Sequence, residues 1–351
     1  NPNNLFGLPH TAEEANLVVI PVPWEVTVTG RSGTANAPKQ VLMSSHQVDL
    51  FDRNKPSLWE HGLSFDEFPT QLITLQVEAM KCIKNYRALT AQNRGTDEPQ
   101  VAVLKKAINE CCEQVNYWVK RRAMNWLATD KIVATLGGDH STCYGLVHAL
   151  TEKYDQISVL QIDAHADLRV AYEGLTYSHA SIMYNIINLP QVKSLTAVGI
   201  RDLCQEESKY IESCPEITCH YDQQIQDNIS SGTSWKSIVD TIVEGLDEHV
   251  YLSFDVDGLN PALCPNSGTP VPGGLEYEQA LYLIEAAVST GKKIIGFDIS
   301  ECGNDPWDGN VAARLLWRIF GIICSREDHF LPKTSFFWAL YKRSNKRPLA
   351  V

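Results

Sequence analysis

Asp163, His165 and Asp167 occupy alternate positions in the run Gln161-Ile162-Asp163-Ala164-His165-Ala166-Asp167. In extended backbone, alternate side chains fall on one side, so all three can converge on one point. Two carboxylates and an imidazole pack poorly together, because unpaired buried charge is costly. They are good ligands for a divalent cation. Two further stretches carry related chemistry: Gly137-Gly138-Asp139-His140-Ser141 offers His140, and Asp255-Val256-Asp257 offers two carboxylates. The six candidates, His140, Asp163, His165, Asp167, Asp255 and Asp257, exceed the ligand set of one tetrahedral zinc, which is about four. They suit two cations about 3.5–4 Å apart that share bridging carboxylates. One acidic loop could be solvated; three such clusters at equivalent places argue against that.

Each cluster follows a short apolar run, at residues 157–160, 132–136 and 250–254. Such runs read as buried strands, and in open α/β sheets ligands bind past the C-terminal strand ends. Residues 17–20 form another strand candidate, stopped by Pro21 and Pro23. Further strand-like runs cover 194–199, 217–219 and 293–297. Pro38 suits the first turn of a helix over 39–45. From 71 to 127 the chain is helix-like, with a polar break at 91–99. Val101, Leu104, Ala107, Ile108, Cys111 and Val115 give it one apolar face. Residues 234–244 and 277–289 are also helical in pattern. Strands alternating with helices predict an α/β fold, with a mostly parallel central sheet and helices on both faces. No shift in composition marks a second domain, so residues 1–351 read as one domain, with a polar N-terminal arm over 1–16. The glycine-bearing loop 30–37 reads either as part of a pocket rim or as a simple connection.

The formal charge is −12, from 30 basic and 42 acidic residues, which argues against nucleic acid or an anionic membrane as partner. An acidic surface suits cationic substrates. No apolar run approaches the roughly 20 residues of a membrane span, and no signal-peptide pattern opens the sequence; cytoplasm is the expected location. The ten cysteines include no C-x-x-C pair and predict reduced, mostly buried thiols.

At these residues the sequence resembles the ureohydrolase (arginase–agmatinase) family. The resemblance is carried by residues 137–141, 163–167, 253–259 and Gly268-Thr269-Pro270-Val271-Pro272-Gly273-Gly274, and it spans most of 17–325. It implies a three-layer arginase-like fold and two divalent metal ions per subunit, Mn²⁺ or Ni²⁺. It also implies a homo-oligomer, trimer or hexamer; a hetero-oligomer with a related subunit is the variant of that expectation. One metal would be held by His140, Asp163, Asp167 and Asp255. The other would be held by His165, Asp163, Asp255 and Asp257. Two such cations lower the pKa of a shared water, which can then attack a guanidinium carbon. Asp257 would take the nucleophile's proton. His179 matches the family's proton-shuttling histidine, and its ordinary pKa suits that work. Glu301 matches the carboxylate that pairs with the substrate guanidinium.

Arg169 stands where arginases carry asparagine, which argues against an α-amino-acid substrate. The length beyond a typical agmatinase is assigned to the arm and to a helical insertion at 70–127. The segments 263–268 and 307–311 resemble the guanidine-hydrolysing branch and bring Trp307 to the expected pocket mouth, with Arg169. The expected function is hydrolysis of guanidine or a short N-alkylguanidine to urea plus ammonia or an amine. Agmatine is the alternative, with arginine and formimidoylglutamate behind it. A non-catalytic subunit or a one-zinc deacylase fits the intact set of six ligands less well.

Overall fold

The computed structural model describes residues 1–91 and 98–325. In chain order its elements are β1 (Leu17–Val22), α1 (Ala37–Ser45), β2 (Leu63–Phe65), α2 (Thr70–Thr90) and α3 (Pro99–Leu127). There follow β3 (Ile132–Gly137), α4 (Tyr144–Leu150), β4 (Ile157–Ile162), α5 (Ile182–Ile187), β5 (Val192–Ile200) and α6 (Gln205–Ser213). The chain continues through β6 (Ile217–Tyr221), α7 (Asp222–Ser230), α8 (Trp235–Glu244), β7 (His249–Asp255), α9 (Tyr277–Ser289), β8 (Lys293–Ser300) and α10 (Pro306–Ile323).

The strands form one sheet in the order β2-β1-β3-β8-β7-β4-β5-β6, and every pairing is parallel. The expected "mostly parallel" sheet is thus wholly parallel. β1 and β4 are buried along their whole length, as a sheet covered on both faces requires. One core layer joins Leu17, Val19, Leu160 and Leu252 to α1, α8, α9 and α10. The other joins Ile20, Val133, Val159 and Tyr251 to α2, α3, α4 and α5. The architecture is therefore a three-layer α/β fold.

The chain passes from β3 to β4 across a gap that β7 and β8 later fill. The four central strands β3, β8, β7 and β4 consequently end side by side, and each opens into a loop bearing a candidate site residue. That is the change in strand order at which open sheets bind ligands.

Three differences from the sequence reading have physical causes. Pro21 lies inside β1 instead of ending it. Val19 carbonyl already accepts from Asp66 N–H at the end of β2, so no strand lies opposite the N–H that Pro21 lacks. Residues 1–16 are anchored as well as peripheral, with Leu5, Phe6, Leu8 and Ala15 buried. In α3 the buried face runs through Val101, Ile108, Cys112, Val115 and Val119, leaving Cys111 half-buried. Of the polar break expected at 91–99, residues 92–97 lie outside the described residues. All ten cysteines are free, but only Cys112, Cys143, Cys264 and Cys302 are fully buried. No helix among the described residues is long and apolar enough to cross a membrane.

Candidate metal centre and cavity

Glycines set the loops that carry the charged groups. A Cβ on Gly138 would meet the Trp24 carbonyl oxygen at 1.7 Å, and one on Gly258 would meet Asp163 N at 2.6 Å. These close approaches bring the end of β3 against the loop after β1, and the end of β7 against that of β4, and only glycine permits them. Asp255 Oδ1 accepts from Asp257 N–H at 2.8 Å, and Asp257 Oδ1 from Ala164 N–H at 3.1 Å. Asp163 Oδ1 accepts from His165 N–H at 2.7 Å, while Gln161 Nε2 donates to its Oδ2 at 2.9 Å. Two site residues, Asp167 and Glu301, hold the left-handed conformation at φ 54° and 60°, a cost that packing around them must offset.

All six expected ligands converge. His140 Nδ1 lies 3.0 Å from Asp163 Oδ2, 2.9 Å from Asp167 Oδ2 and 3.6 Å from Asp255 Oδ2. His165 Nδ1 lies 3.6 Å from Asp163 Oδ1 and 3.2 Å from Asp257 Oδ2. His140, Asp163 and Asp167 form one group with ligand atoms within 4.8 Å of one another, and Asp163, His165 and Asp257 form a second. Asp163 belongs to both groups.

The donors behind His140 show what the front requires. Ser253 hydroxyl donates to Asp298 Oδ1 at 2.9 Å, so its oxygen accepts from His140 Nε2–H at 2.8 Å. Asp298 also accepts from Tyr251 Oη and Ser300 Oγ. In the neutral ring this leaves the Nδ1 lone pair facing three carboxylates, an arrangement that only a cation or a proton reconciles. Asp163, Asp167, Asp255 and Asp257 outnumber the two imidazoles, and the one contact of buried Asp257 Oδ2 is the ionic one with His165 Nδ1 at 3.2 Å. Burial and then the Asp163 charge push Asp167 up to about 7, while burial and then Asp257 push Asp255 well above the carboxylate range. Burial opposes a charge on His165, yet Asp257 and Asp163 carry it up to about 12. The donor set, oxygens plus two imidazoles, therefore fits divalent cations.

Beside this centre lies a cavity of about 360 Å³ lined by His165, Asp167, Arg169, Tyr172, His179 and Thr269, among others. His179 is half-buried, and its imidazolium is lowered to about 3 by burial and then by the cations around it, His165, His140 and Arg87. It is therefore neutral. Glu301 is buried, with Oε1 accepting from His140 N–H at 3.0 Å and Oε2 unpartnered. Burial, and then Asp139 and Asp257, raise its carboxyl well above the ordinary range. A Cβ on Gly268, the neighbour of cavity-lining Thr269, would lie 2.7 Å from Glu301 Oε2.

The expected mouth residues fare differently. Arg169 does line the cavity, but it is not free. Its Nε is 3.6 Å from Glu207, and its guanidinium stacks 4.8 Å from the Tyr172 ring centre. Glu173 pairs with Arg87 at 2.8 Å. Trp307 does not line the cavity. It is half-exposed in the first turn of α10, donating to the Ala262 carbonyl at 3.2 Å. Of the loop 30–37, no residue lines the cavity, although its neighbour Thr29 does. Sequence reasoning missed Thr27, Glu207 and the Ser253–Asp298 pair. Only the last carried a signal, polar residues inside buried strands.

Comparison with known proteins agrees with this geometry. A family model described as Arginase family matches residues 15–321. N(1)-aminopropylagmatine ureohydrolase of Thermus thermophilus is 30% identical over 326 residues, covering 91% of this chain and 94% of its own. The protein of that name from Synechocystis is 28% identical, covering 88% and 89%. Agmatine ureohydrolase of Thermoplasma volcanium superposes with a TM-score of 0.69 at 21% identity, over 94% of this chain and 97% of that one. Proclavaminate amidino hydrolase of Streptomyces clavuligerus superposes at 0.68 with 18% identity, over 92% and 96%, a likeness of fold. On the extent of the family match and of the Thermus relative, this chain belongs to the arginase family of ureohydrolases.

Proposed function

We propose that the protein hydrolyses a C–N bond of a small cationic guanidino compound, releasing urea and ammonia or an amine. The observation that carries the reading is the buried, unpartnered Glu301 Oε2 beside two overlapping metal-ligand groups that share Asp163. His140, Asp163, Asp167 and Asp255 would hold one divalent ion, and His165, Asp163, Asp255 and Asp257 the other, as manganese or nickel. Such a pair supplies water activation near neutral pH and polarises the reacting centre. Glu301 Oε2 accepts N–H bonds from the guanidinium, whose charge its carboxylate matches. Asp257 receives the proton lost by the attacking water. His179, neutral at rest, carries a proton to the departing nitrogen.

Guanidine or a short N-alkylguanidine is the first substrate choice, because Arg169 sets a cation in the cavity wall along the route of an ammonium tail. One observation favours a second reading, a polyamine-tailed substrate. Asp202, its side chain 66% exposed, offers a carboxylate at the same wall, and the Thermus and Synechocystis relatives are named for such a compound. Urea release by protein loaded with manganese or nickel separately decides between them. Guanidine and methylguanidine are expected to give a higher kcat/KM than agmatine, aminopropylagmatine or arginine. Urea from none of these would overturn the reading as a whole.

A further inference from the structure

Thr27 is fully buried and lies in the loop after β1, yet its hydroxyl joins three distant parts of the chain. Thr27 Oγ1 lies 2.9 Å from Asp139 Oδ2, 3.0 Å from the main-chain nitrogen of His179 and 3.2 Å from His179 Nδ1. The direction of each bond follows from the available donors. Asp139 Oδ1 accepts from Ser141 N–H at 3.1 Å and from the Ser141 hydroxyl. Asp139 Oδ2 accepts from Thr27 N–H at 3.2 Å. With main-chain donors on both oxygens, this carboxylate acts as an acceptor at both ends, and the Thr27 hydroxyl hydrogen points at it.

The hydroxyl oxygen then has only its lone pairs left for His179. One takes the main-chain N–H of His179. The other can face Nδ1 favourably only if that nitrogen carries the ring hydrogen, which leaves the lone pair of the neutral ring on Nε2. Ser178 Oγ, 3.4 Å from the same nitrogen, is the one competing hydroxyl in reach among the recorded contacts.

We infer that Thr27 is the positioning residue of His179. Backed by Asp139, its hydroxyl clamps the ring in the Nδ1–H form, so that Nε2 faces the cavity ready to take up and return a proton. The kinetic consequence rests on the proposed hydrolysis; the tautomer does not. Thr27 itself touches no substrate. Its action is through the orientation and tautomer of the ring, as polar partners behind a working imidazole commonly act.

The decisive measurement is ¹⁵N NMR of histidine-labelled full-length protein loaded with diamagnetic zinc, with the His179 signals assigned by their loss in His179→Ala. His179 is expected to show a pyrrole-type Nδ1 and a pyridine-type Nε2. Thr27→Val should mix the tautomers, Thr27→Ser should restore the original pattern, and Ser178→Ala should leave it in place. In urea release, Thr27→Val is expected to lower kcat about tenfold, a part of the 10²–10⁴-fold general acid–base contribution. KM and metal content should hold, and Thr27→Ser should recover most of the rate. A pyridine-type Nδ1 in the unmutated protein would overturn the inference even if Thr27→Val failed to fold. So would a shift of tautomer in Ser178→Ala but not in Thr27→Val. If no guanidino compound released urea, the proposed function would fall while the NMR still decided the role of Thr27.

Discussion

The buried floor, which adjoins the cavity and enters its lining only through Asp167, and the cavity's mouth are built in opposite ways. On the floor, His140, Asp163, Asp167, Asp255, Asp257 and Glu301 are at most 4% exposed, and they stand at or just beyond four adjacent strand ends. Most carry main-chain hydrogen bonds that fix their rotamers. At the mouth, Arg169 and Asp202 have side chains 38% and 66% exposed; one long ionic contact and the Tyr172 ring hold the first, and one long ionic contact the second. Charges on the floor act in a low dielectric, where a lost partner is expensive; those at the mouth are screened by water. The chemistry is therefore committed to the sheet, while selectivity is left to loops that can vary without disturbing it.

This contrast can be broken first at its strongest point. Asp163 belongs to both ligand groups, so Asp163→Ala should abolish both metals and reduce urea release by more than about 10³-fold. Elemental analysis that still found one ion per chain would mean that Asp163 does not bridge. Next in size, His179→Ala should lower kcat by about 10²–10⁴-fold with metal content intact. An unchanged kcat would hand the protonation of the leaving group to solvent.

Changes at the mouth should be smaller by orders of magnitude. Arg169→Ala is expected to improve agmatine relative to guanidine by about fivefold. This corresponds to roughly 1 kcal/mol for like charges 4 Å apart in water. Because Glu207 and Tyr172 already occupy the guanidinium, a loss of thermal stability with no change in preference would show Arg169 to be structural. Trp307→Ala should have the least effect, leaving kcat/KM within about twofold, as expected for a half-exposed side chain outside the cavity. A tenfold drop there would extend the mouth to the start of α10.

The floor was largely legible in the sequence because its information is local. Asp163, His165 and Asp167 betray a strand end by their alternation, and the family resemblance supplied His179 and Glu301. The mouth was much less so. Arg169 pairs with Glu207, 38 positions away, and no spacing rule connects them. Thr27 meets Asp139 across 112 positions, in a loop whose own sequence gives no sign of it. Trp307 was misplaced because an aromatic residue near a glycine-bearing motif looks the same whether it faces a pocket or caps a helix. Pro21 misled in a related way. Proline ends a strand only where a neighbour needs its N–H, and that depends on the length of β2, which is set some forty positions later.

Asn4 has a consequence of another kind. Its side-chain amide accepts from Phe65 N–H at 2.7 Å and donates to the Leu63 carbonyl at 3.3 Å, on the side of β2 facing away from β1. One side chain thus imitates a passing strand and occupies the outermost row of the sheet, where exposed main-chain groups would otherwise recruit another molecule edge to edge. Leu5 and Phe6, buried beside it, hold that plug in place. A chain lacking residues 1–10 should accordingly gain a tendency to self-associate through β2, visible by light scattering. Size distributions identical to those of the intact protein would show that the three residues of β2 are too few to template an addition.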